Sequence, residues 1–306
     1  MHTTLAAIVG ADRVKRDVSL APLTTFRVGG TADWLIETRT AEEIVAVLAA
    51  MHRERVPVTV LGGGSNTLVG DRGVRGVVIR PRGGTIERTG VTEVRAEAAV
   101  TVNALVRWTI NKGFGGLERW AGTPGTVGGG IFGNAHFDGR LLGERVTRVS
   151  VAGLNGDVRE LKADQMEFGY DRSRLQRTRE VLLWAEFHVT PADPTALRAE
   201  ARHSLAHRKR TQPLESPSAG CIFQNPDSNQ VPDGVPPSAG ALVDRAGLKG
   251  RAIGRARVSP THGNFIINDG GASAQEIRQL IELCRAEVLK QFGVELKDEI
   301  VYIGEF

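Results

Sequence analysis

The strongest indication of the fold is a glycine-rich segment, Gly122-Thr123-Pro124-Gly125-Thr126-Val127-Gly128-Gly129-Gly130, which leads into Gly133-Asn134-Ala135. Pro124 fixes one backbone dihedral angle, and the glycines on either side of it can adopt positive φ. Six glycines in the twelve residues 122–133 leave few side chains. A large flat ligand could therefore lie directly against the backbone of this segment.

A second glycine segment, Gly62-Gly63-Gly64-Ser65-Asn66, follows the β-rich run Pro57–Leu61. Successive glycines can point their N–H groups into one concavity, which suits a phosphate. No Lys-Ser/Thr pair follows the glycines, so the segment is not a P-loop. No G-x-G-x-x-G leads into a helix either, because Leu68–Gly73 reads as another turn. Taken alone, the segment could be a plain glycine turn. Together, the two segments favour a dinucleotide bound between two subdomains.

The pattern around these segments predicts a mixed α and β chain. Residues 32–37 and 77–79 read as strands, with a helix between them that Thr40 and Glu43 begin as a capping box. A helix is expected near residues 102–111, and strands at residues 146–151 and 181–189. The first 80 residues therefore form a β-α-β-loop-β unit.

The character of the chain changes at Pro194. An arginine-rich helix is expected over Thr195–Arg210, and a proline-rich loop covers residues 225–240. A short helix follows over Ser238–Ala246, then a strand at Phe265–Ile267. Ser273 begins a long amphipathic helix, and Glu299–Ile303 is the last predicted strand. We expect a domain boundary near residue 195.

Composition excludes several classes of protein. Hydrophobic residues make up 41% of the 306 residues, which allows a packed core and excludes wholesale disorder. The longest apolar run, Ile44–Met51, has eight residues, far below the roughly 18 that a membrane span needs. No secretory signal is visible, and two cysteines cannot form a disulfide framework. We therefore expect a soluble, cytoplasmic protein.

The charged residues and histidines indicate neither nucleic acid nor metal. The net charge of +4 is a mild bias, but residues 196–257 hold ten basic and five acidic residues, which suits a local anion site. His203 and His207 are spaced i, i+4 on a predicted helix, but no third ligand follows them, so we expect no metal site.

Several motifs resemble one flavoprotein family. Thr25-Phe26-Arg27-Val28-Gly29-Gly30 and the two glycine segments look like the FAD-binding domain of the UDP-N-acetylenolpyruvoylglucosamine reductases, over about residues 22–304. The resemblance implies an α+β fold, namely a two-subdomain FAD-binding domain of the vanillyl-alcohol-oxidase/PCMH type plus a C-terminal α+β substrate-binding domain. The domains would be residues 1–85 and 86–195 (FAD-binding subdomains) and residues 196–306 (substrate-binding).

The resemblance also implies a reaction. NADPH would reduce non-covalently bound FAD, and UDP-N-acetylglucosamine enolpyruvate would be reduced to UDP-N-acetylmuramate, a precursor of peptidoglycan. About fifty residues separate Tyr170 from Cys221, which matches the shorter class of the family that lacks a tyrosine-loop insertion. We expect a monomer whose partner is this small substrate, with no nucleic acid and no membrane.

Two catalytic residues follow from motif matches. Ser218–Pro226 resembles the family's Ala-Gly-Ser/Cys-x-Phe-Lys-Asn-Pro loop, which makes Cys221 the proton donor; Gln224 replaces the commoner lysine. A free thiol has a pKa of about 8.5, so it is mostly protonated at neutral pH and can donate. Leu296–Gly304 resembles the C-terminal motif whose glutamate is catalytic, here Glu299. Cys284 lies on an apolar helix face and is expected to be a core residue.

The third family element departs from its pattern. The family has an arginine directly after tyrosine, whereas this chain reads Tyr170-Asp171-Arg172-Ser173-Arg174. A carboxylate cannot stabilise a developing enolate, so we assign the role to Arg172. Arg174 is the alternative, because in a strand it would share a face with Arg172.

The resemblance also implies binding residues. Those expected to hold the cofactor are Gly62, Gly63, Gly64, Ser65, Asn66, Leu68, Gly122, Thr123, Pro124, Gly125, Val127, Gly128, Asn134 and Ala135. Those expected to hold the substrate are Tyr170, Arg208, Lys209 and Asn225.

Two other functions remain open from the sequence. A flavin oxidase of a sugar or polyol would share the FAD-binding domain. A catalytically silent nucleotide- or nucleic-acid-binding paralogue would use the basic residues, and Asp171 after Tyr170 is the feature that favours it.

Overall fold

The computed structural model describes all 306 residues and contains eight α-helices and eighteen strands. The helices are α1 (His2–Val9), α2 (Ala41–Glu54), α3 (Val102–Asn111), α4 (Val127–Phe132), α5 (Arg174–Thr178), α6 (Pro194–Thr211), α7 (Ala239–Arg245) and α8 (Ala274–Phe292). The strands are β1 (Val14–Ser19), β2 (Thr31–Thr38), β3 (Val58–Val60), β4 (Thr67–Val69), β5 (Val74–Pro81), β6 (Ile86–Arg88), β7 (Glu93–Glu97), β8 (Phe114–Gly115), β9 (His136–Phe137), β10 (Arg140–Leu141), β11 (Val146–Ala152), β12 (Val158–Lys162), β13 (Val181–His188), β14 (Thr190–Pro191), β15 (Ala252–Ile253), β16 (Ala256–Val258), β17 (Ile266–Asn268) and β18 (Val301–Ile303).

The chain divides into two compact units, each built from three segments. The first unit comprises Met1–Val18, Asp33–Gly63 and Arg75–His207, and the second comprises Ser19–Ala32, Gly64–Val74 and Arg208–Phe306. The domains predicted from the sequence, with boundaries at residues 85 and 195, are each one continuous stretch of chain. That division stays a prediction.

Two sheets organise the first unit. One has the strand order β1-β2-β5-β3, with β3 and β5 parallel. The other is antiparallel, in the order β12-β11-β13-β7-β6. Helices α1 and α2 bury apolar side chains in one core cluster of this unit, and α3 and α4 bury theirs in another. The first glycine segment begins two residues after the end of β3, which pairs in parallel with β5.

The second unit packs two helices against short strands. Strands β15, β16 and β17 form an antiparallel sheet, and the apolar faces of α7 and α8 share its core. Ser273 begins α8 as predicted, with a full capping box to Glu276. A separate parallel pair, β4 with β18, joins residues far apart in the chain.

Most predicted elements are present with small shifts in their bounds, but three differ. The strand geometry assumed in comparing Arg172 with Arg174 is wrong: residues 169–172 form a turn in which Asp171 has φ +50°, and α5 begins at Arg174. The turn expected over Leu68–Gly73 is present only at residues 70–73, because residues 67–69 form strand β4, which pairs with β18. The last strand begins at Val301, so Glu299 precedes it.

No helix in the structure combines the length and the apolar character needed to cross a membrane.

Candidate functional site

The two glycine segments of the first unit touch through their backbones. A Cβ atom built on Gly63 would lie 2.6 Å from Cα of Gly125, and one on Gly62 would lie 2.6 Å from Oγ1 of Thr126. These distances are shorter than van der Waals contacts allow, so any side chain at either position would push the segments apart. The backbones of the two segments therefore approach each other closely at Gly63 and Gly125.

The second glycine segment is held by side chains on both sides of it. Gly122 and Gly125 have φ of +82° and +98°, which glycine adopts without strain. Thr126 precedes α4, and its Oγ1 accepts a hydrogen bond from the Gly129 N–H. Asn103 on α3 accepts a hydrogen bond from Gly122 N–H at 2.7 Å and donates one to the carbonyl of Thr123 at 3.1 Å.

Asn103 was missed by the sequence reasoning, since a lone asparagine on a predicted helix carries no signal. Only the packing of α3 beside the segment shows that this side chain fixes the backbone of residues 122–123.

The rest of the first glycine segment lies in the second unit. Gly64 has φ +62°, and its carbonyl accepts a hydrogen bond from Thr25 N–H at 3.0 Å. Asn66 donates from Nδ2 to the carbonyl of Glu299 at 3.0 Å, and the carbonyl of Asn66 accepts from Val301 N–H. Leu68 on β4 lies opposite Tyr302 on β18 and is fully buried. A predicted cofactor residue and a predicted catalytic residue are thus neighbours.

The segments that carry Cys221 and Glu299 are also hydrogen-bonded to each other. The Glu299 N–H donates to the carbonyl of Ile222 at 2.8 Å, and Gln224 N–H donates to the carbonyl of Lys297 at 2.9 Å. Cys221 is half-buried and follows Gly220, whose φ is +77°. The structure therefore brings together two of the three predicted catalytic residues.

Asn264 fixes this arrangement from behind. Its Oδ1 accepts a hydrogen bond from Phe223 N–H at 2.9 Å, and its Nδ2 donates to the carbonyl of Phe223 at 2.7 Å. Asn225 accepts a hydrogen bond from Ala239 N–H at 3.0 Å and so holds the start of α7.

Charge also acts on Cys221. Arg208 is only 6% exposed, and burial lowers the pKa of its guanidinium to about 10, while a charge interaction with Cys221 raises that pKa. The positive charge of Arg208 therefore interacts with Cys221. Lys209 is exposed. Cys284, in contrast, is buried on α8, and burial raises the pKa of its thiol to about 12, as suits a core residue.

The turn after Tyr170 belongs to the first unit. Gly169 and Arg172 exchange two backbone hydrogen bonds, which close the turn. Asn134 is fully buried and holds the turn by donating from Nδ2 to the carbonyl of Gly169 at 2.7 Å, while its Oδ1 accepts from Gly143 N–H. Ala135 and the following His136 continue the same loop toward Asp171.

The charged residues of this turn point to different partners. Arg172 is exposed, whereas Arg174 donates from Nε to the buried carboxylate of Glu180 at 2.8 Å. Asp171 accepts at Oδ1 from Nδ1 of His136 at 2.9 Å. The argument that Arg172 and Arg174 share a strand face is wrong, because the segment is a turn that leads into a helix.

The glycine segments fit a flat dinucleotide. At Gly62 and Gly63 the ligand would meet backbone only, because the neighbouring atoms leave no room for a Cβ. The residues named for the cofactor lie on these segments or, for Leu68, Asn134 and Ala135, within five residues after them. How each touches a ligand stays a prediction.

Comparison with known proteins gives concordant matches over both halves of the chain. Residues 32–162 match the family model of an FAD binding domain, and residues 212–303 match that of the UDP-N-acetylenolpyruvoylglucosamine reductase C-terminal domain. The reductase of Synechococcus sp. WH7803 is 38% identical, over 98% of this chain and 96% of that protein. That of Chlamydia felis is 35% identical, over 94% of this chain and 93% of that protein.

Among solved structures, that of the same enzyme from Thermus caldophilus superposes with a TM-score of 0.79 at 31% identity, over 95% of this chain and 99% of that one. The predicted combination of an FAD-binding domain with a C-terminal α+β domain is confirmed.

Proposed function

The chain belongs to the UDP-N-acetylenolpyruvoylglucosamine reductase family, and on that premise we propose that it reduces UDP-N-acetylglucosamine enolpyruvate to UDP-N-acetylmuramate in peptidoglycan precursor synthesis. The enzyme is an oxidoreductase that uses FAD as cofactor and NADPH as hydride donor. The observation that carries the proposal is the hydrogen bond from Glu299 N–H to the carbonyl of Ile222, which places the backbone of Glu299 beside that of the Cys221 loop.

When bound, FAD supplies the hydride that adds to the CH2 carbon of the enolpyruvyl group. The protein must then deliver a proton to the adjacent carbon. Cys221 donates that proton from its thiol, and a thiolate remains on the sulfur. Buried Arg208 offsets this negative charge, because its own charge already interacts with Cys221.

The remaining residues stabilise and orient the substrate. Glu299 and Arg172 stabilise the enol that forms before protonation, and the backbone of Glu299 is held by Asn66 and Ile222. Arg208 and Lys209 bind the diphosphate, for which arginine offers two parallel donors. Tyr170 and Asn225 complete the substrate site.

The cofactor is held by the two glycine segments through residues 62–66, Leu68 and residues 122–128, with Asn134 and Ala135 behind them. Residues 1–85 and 86–195 are the proposed FAD-binding subdomains, and residues 196–306 are the proposed substrate-binding domain. We also propose that the enzyme is monomeric and cytoplasmic. Size-exclusion chromatography tests the monomeric state.

Visible absorption of the purified protein tests the proposal. We expect flavin bands that NADPH bleaches and that the enolpyruvyl sugar restores under anaerobic conditions, with UDP-N-acetylmuramate identified by mass spectrometry. Restoration by air but not by the enolpyruvyl sugar would instead identify a flavin oxidase. A colourless protein that takes up no FAD would contradict both functions.

A further inference from the structure

The residue after Tyr170 raises a question of charge. Related reductases carry an arginine there, whereas this chain has Asp171, whose carboxylate has the wrong sign to meet an anionic substrate group. The structure shows where that carboxylate goes. Asp171 is 8% exposed, and its Oδ1 lies 2.9 Å from Nδ1 of His136. The other oxygen, Oδ2, is buried and has no hydrogen-bond partner.

The backbone holds Asp171 in this inward position. Its φ of +50° is uncommon for a residue with a side chain. The carbonyl of Asp171 accepts a hydrogen bond from Gln176 at 2.9 Å, and Ser173 donates from Oγ to the carbonyl of Phe132 at 2.7 Å. Together with the hydrogen bond from Asn134 to the carbonyl of Gly169, these contacts anchor the turn on both sides of Asp171, so that its carboxylate faces His136.

His136 is the group that Asp171 orients. A carboxylate at Nδ1 fixes the ring, so that Nε2 is directed away from Asp171. The His136 side chain is 23% exposed, and its ring centroid lies 4.7 Å from that of Tyr170, a proposed substrate residue. The Asp171 carboxylate and the Tyr170 ring both face the imidazole.

The neighbouring arginines do not duplicate this arrangement. Arg174 forms an ion pair with Glu180, and the side chain of Arg172 is exposed. When protonated, His136 forms an ion pair with Asp171 and still has one N–H, at Nε2, to offer.

We propose that His136, oriented by Asp171, is a further substrate-binding residue that donates a hydrogen bond to the carboxylate of the enolpyruvyl group. His136 donates this hydrogen bond from the segment against which Asp171 packs. Asp171 cannot donate it, because a carboxylate only accepts hydrogen bonds. The inference rests on the proposed function and assigns a role to two residues that the sequence motifs leave without one.

Ligand binding to the oxidised holoenzyme without NADPH tests the inference, because no turnover occurs. Calorimetry would compare the enolpyruvyl sugar with UDP-N-acetylglucosamine, which lacks the carboxylate. In His136→Gln we expect the enolpyruvyl sugar to bind about tenfold more weakly, the size of one charge-assisted hydrogen bond, and UDP-N-acetylglucosamine to bind as before. In Asp171→Asn we expect the affinity for the enolpyruvyl sugar to fall by a smaller factor. His52→Gln and Asp164→Asn, both exposed residues, are the matched controls.

Equal loss of both ligands in His136→Gln would show a structural role and overturn the inference, as would unchanged binding of the enolpyruvyl sugar. If His136→Gln fails to fold, Asp171→Asn decides by the same ratio of the two affinities. An active wild type with an unaffected His136→Gln contradicts this inference alone, whereas a wild type that cannot reduce the enolpyruvyl sugar contradicts the proposed function.

Discussion

At the scale of single residues, the two cysteines show how surroundings assign a role to the same thiol. Cys284 is buried on α8 among apolar side chains, and burial raises the pKa of its thiol to about 12. Cys221 is half-buried, follows a glycine of positive φ and interacts with the charge of Arg208. The two thiols therefore lie in different surroundings, and only that of Cys221 lies near a positive charge.

Replacing Cys221 should separate proton donation from the earlier steps. In Cys221→Ala we expect NADPH to bleach the flavin at the normal rate, and the enolpyruvyl sugar to restore it at least about a hundredfold more slowly. Cys221→Ser keeps an O–H donor and should retain much of the activity. Stopped-flow absorbance measures both steps.

Cys284→Ala is the control, which should lower stability and leave both rates unchanged. A Cys221→Ala enzyme with a normal second step would exclude this residue as the donor.

At the scale of elements, the glycine segments depend on contacts between stretches that are far apart in the chain. A Cβ on Gly63 would meet Cα of Gly125 at 2.6 Å, whereas one on Gly133, at the end of α4, would have its nearest neighbour at 3.8 Å. Two glycines that look alike in the sequence thus differ in whether the structure has room for a side chain there.

Gly63→Ala should therefore impair cofactor binding. Since the added methyl group must separate the two segments, we expect a loss of about 1–3 kcal/mol in the free energy of unfolding and a lower ratio of bound FAD to protein. Absorbance of the purified protein and titration with FAD measure the effect. Gly133→Ala should keep the wild-type ratio; if both variants bind FAD equally well, the close approach of the segments is not required.

At the scale of the whole molecule, buried glutamates link stability to pH. Burial raises the pKa of Glu180, but hydrogen bonds from Arg174, Thr178 and Arg159 more than offset this, so the pKa is lowered.

Two further glutamates have lowered pKa values. For Glu186, hydrogen bonds from Arg148 and Thr89 more than offset the effect of burial. For Glu43, the hydrogen bond from Arg13 lowers the pKa. All three carboxylates are bound as anions in the fold.

The sign of the pH effect follows from these lowered values. A group whose pKa is lower when folded adds stability above its unfolded pKa, about 4.3 for glutamate, and that stability is lost as the pH falls through the folded pKa. We therefore expect the free energy of unfolding to fall steeply below about pH 4. Denaturant unfolding at a series of pH values measures it.

Glu180→Gln should cost about 2 kcal/mol at pH 7 and flatten this decline, because the bound anion is absent at every pH. Glu160→Gln, an exposed residue, should change stability by less than about 0.5 kcal/mol. A pH profile in Glu180→Gln as steep as in the wild type would show that Glu180 is not among the groups responsible.

Local pattern alone was enough for the family, the fold class and most helices. The starts of α2 and α8 follow from Thr40 and Ser273, because a capping side chain bonds to backbone three residues away. The glycine segments indicated a dinucleotide, since residues without side chains let a flat ligand reach the backbone, and the family resemblance implied that it is FAD. The motifs also singled out Cys221 and Glu299.

Tertiary structure decided what depends on distant partners. Leu68 and Val69 read as the start of a turn but belong to β4, because β18 pairs with this strand from the far end of the chain. The turn at Asp171 could not be foreseen, since positive φ there is held by contacts with Asn134 and Phe132. His136 carried no signal of its own, and it acquires a role only because folding brings it to the carboxylate of Asp171. Such contacts join residues that neither spacing nor periodicity relates, and for this reason the sequence left them open.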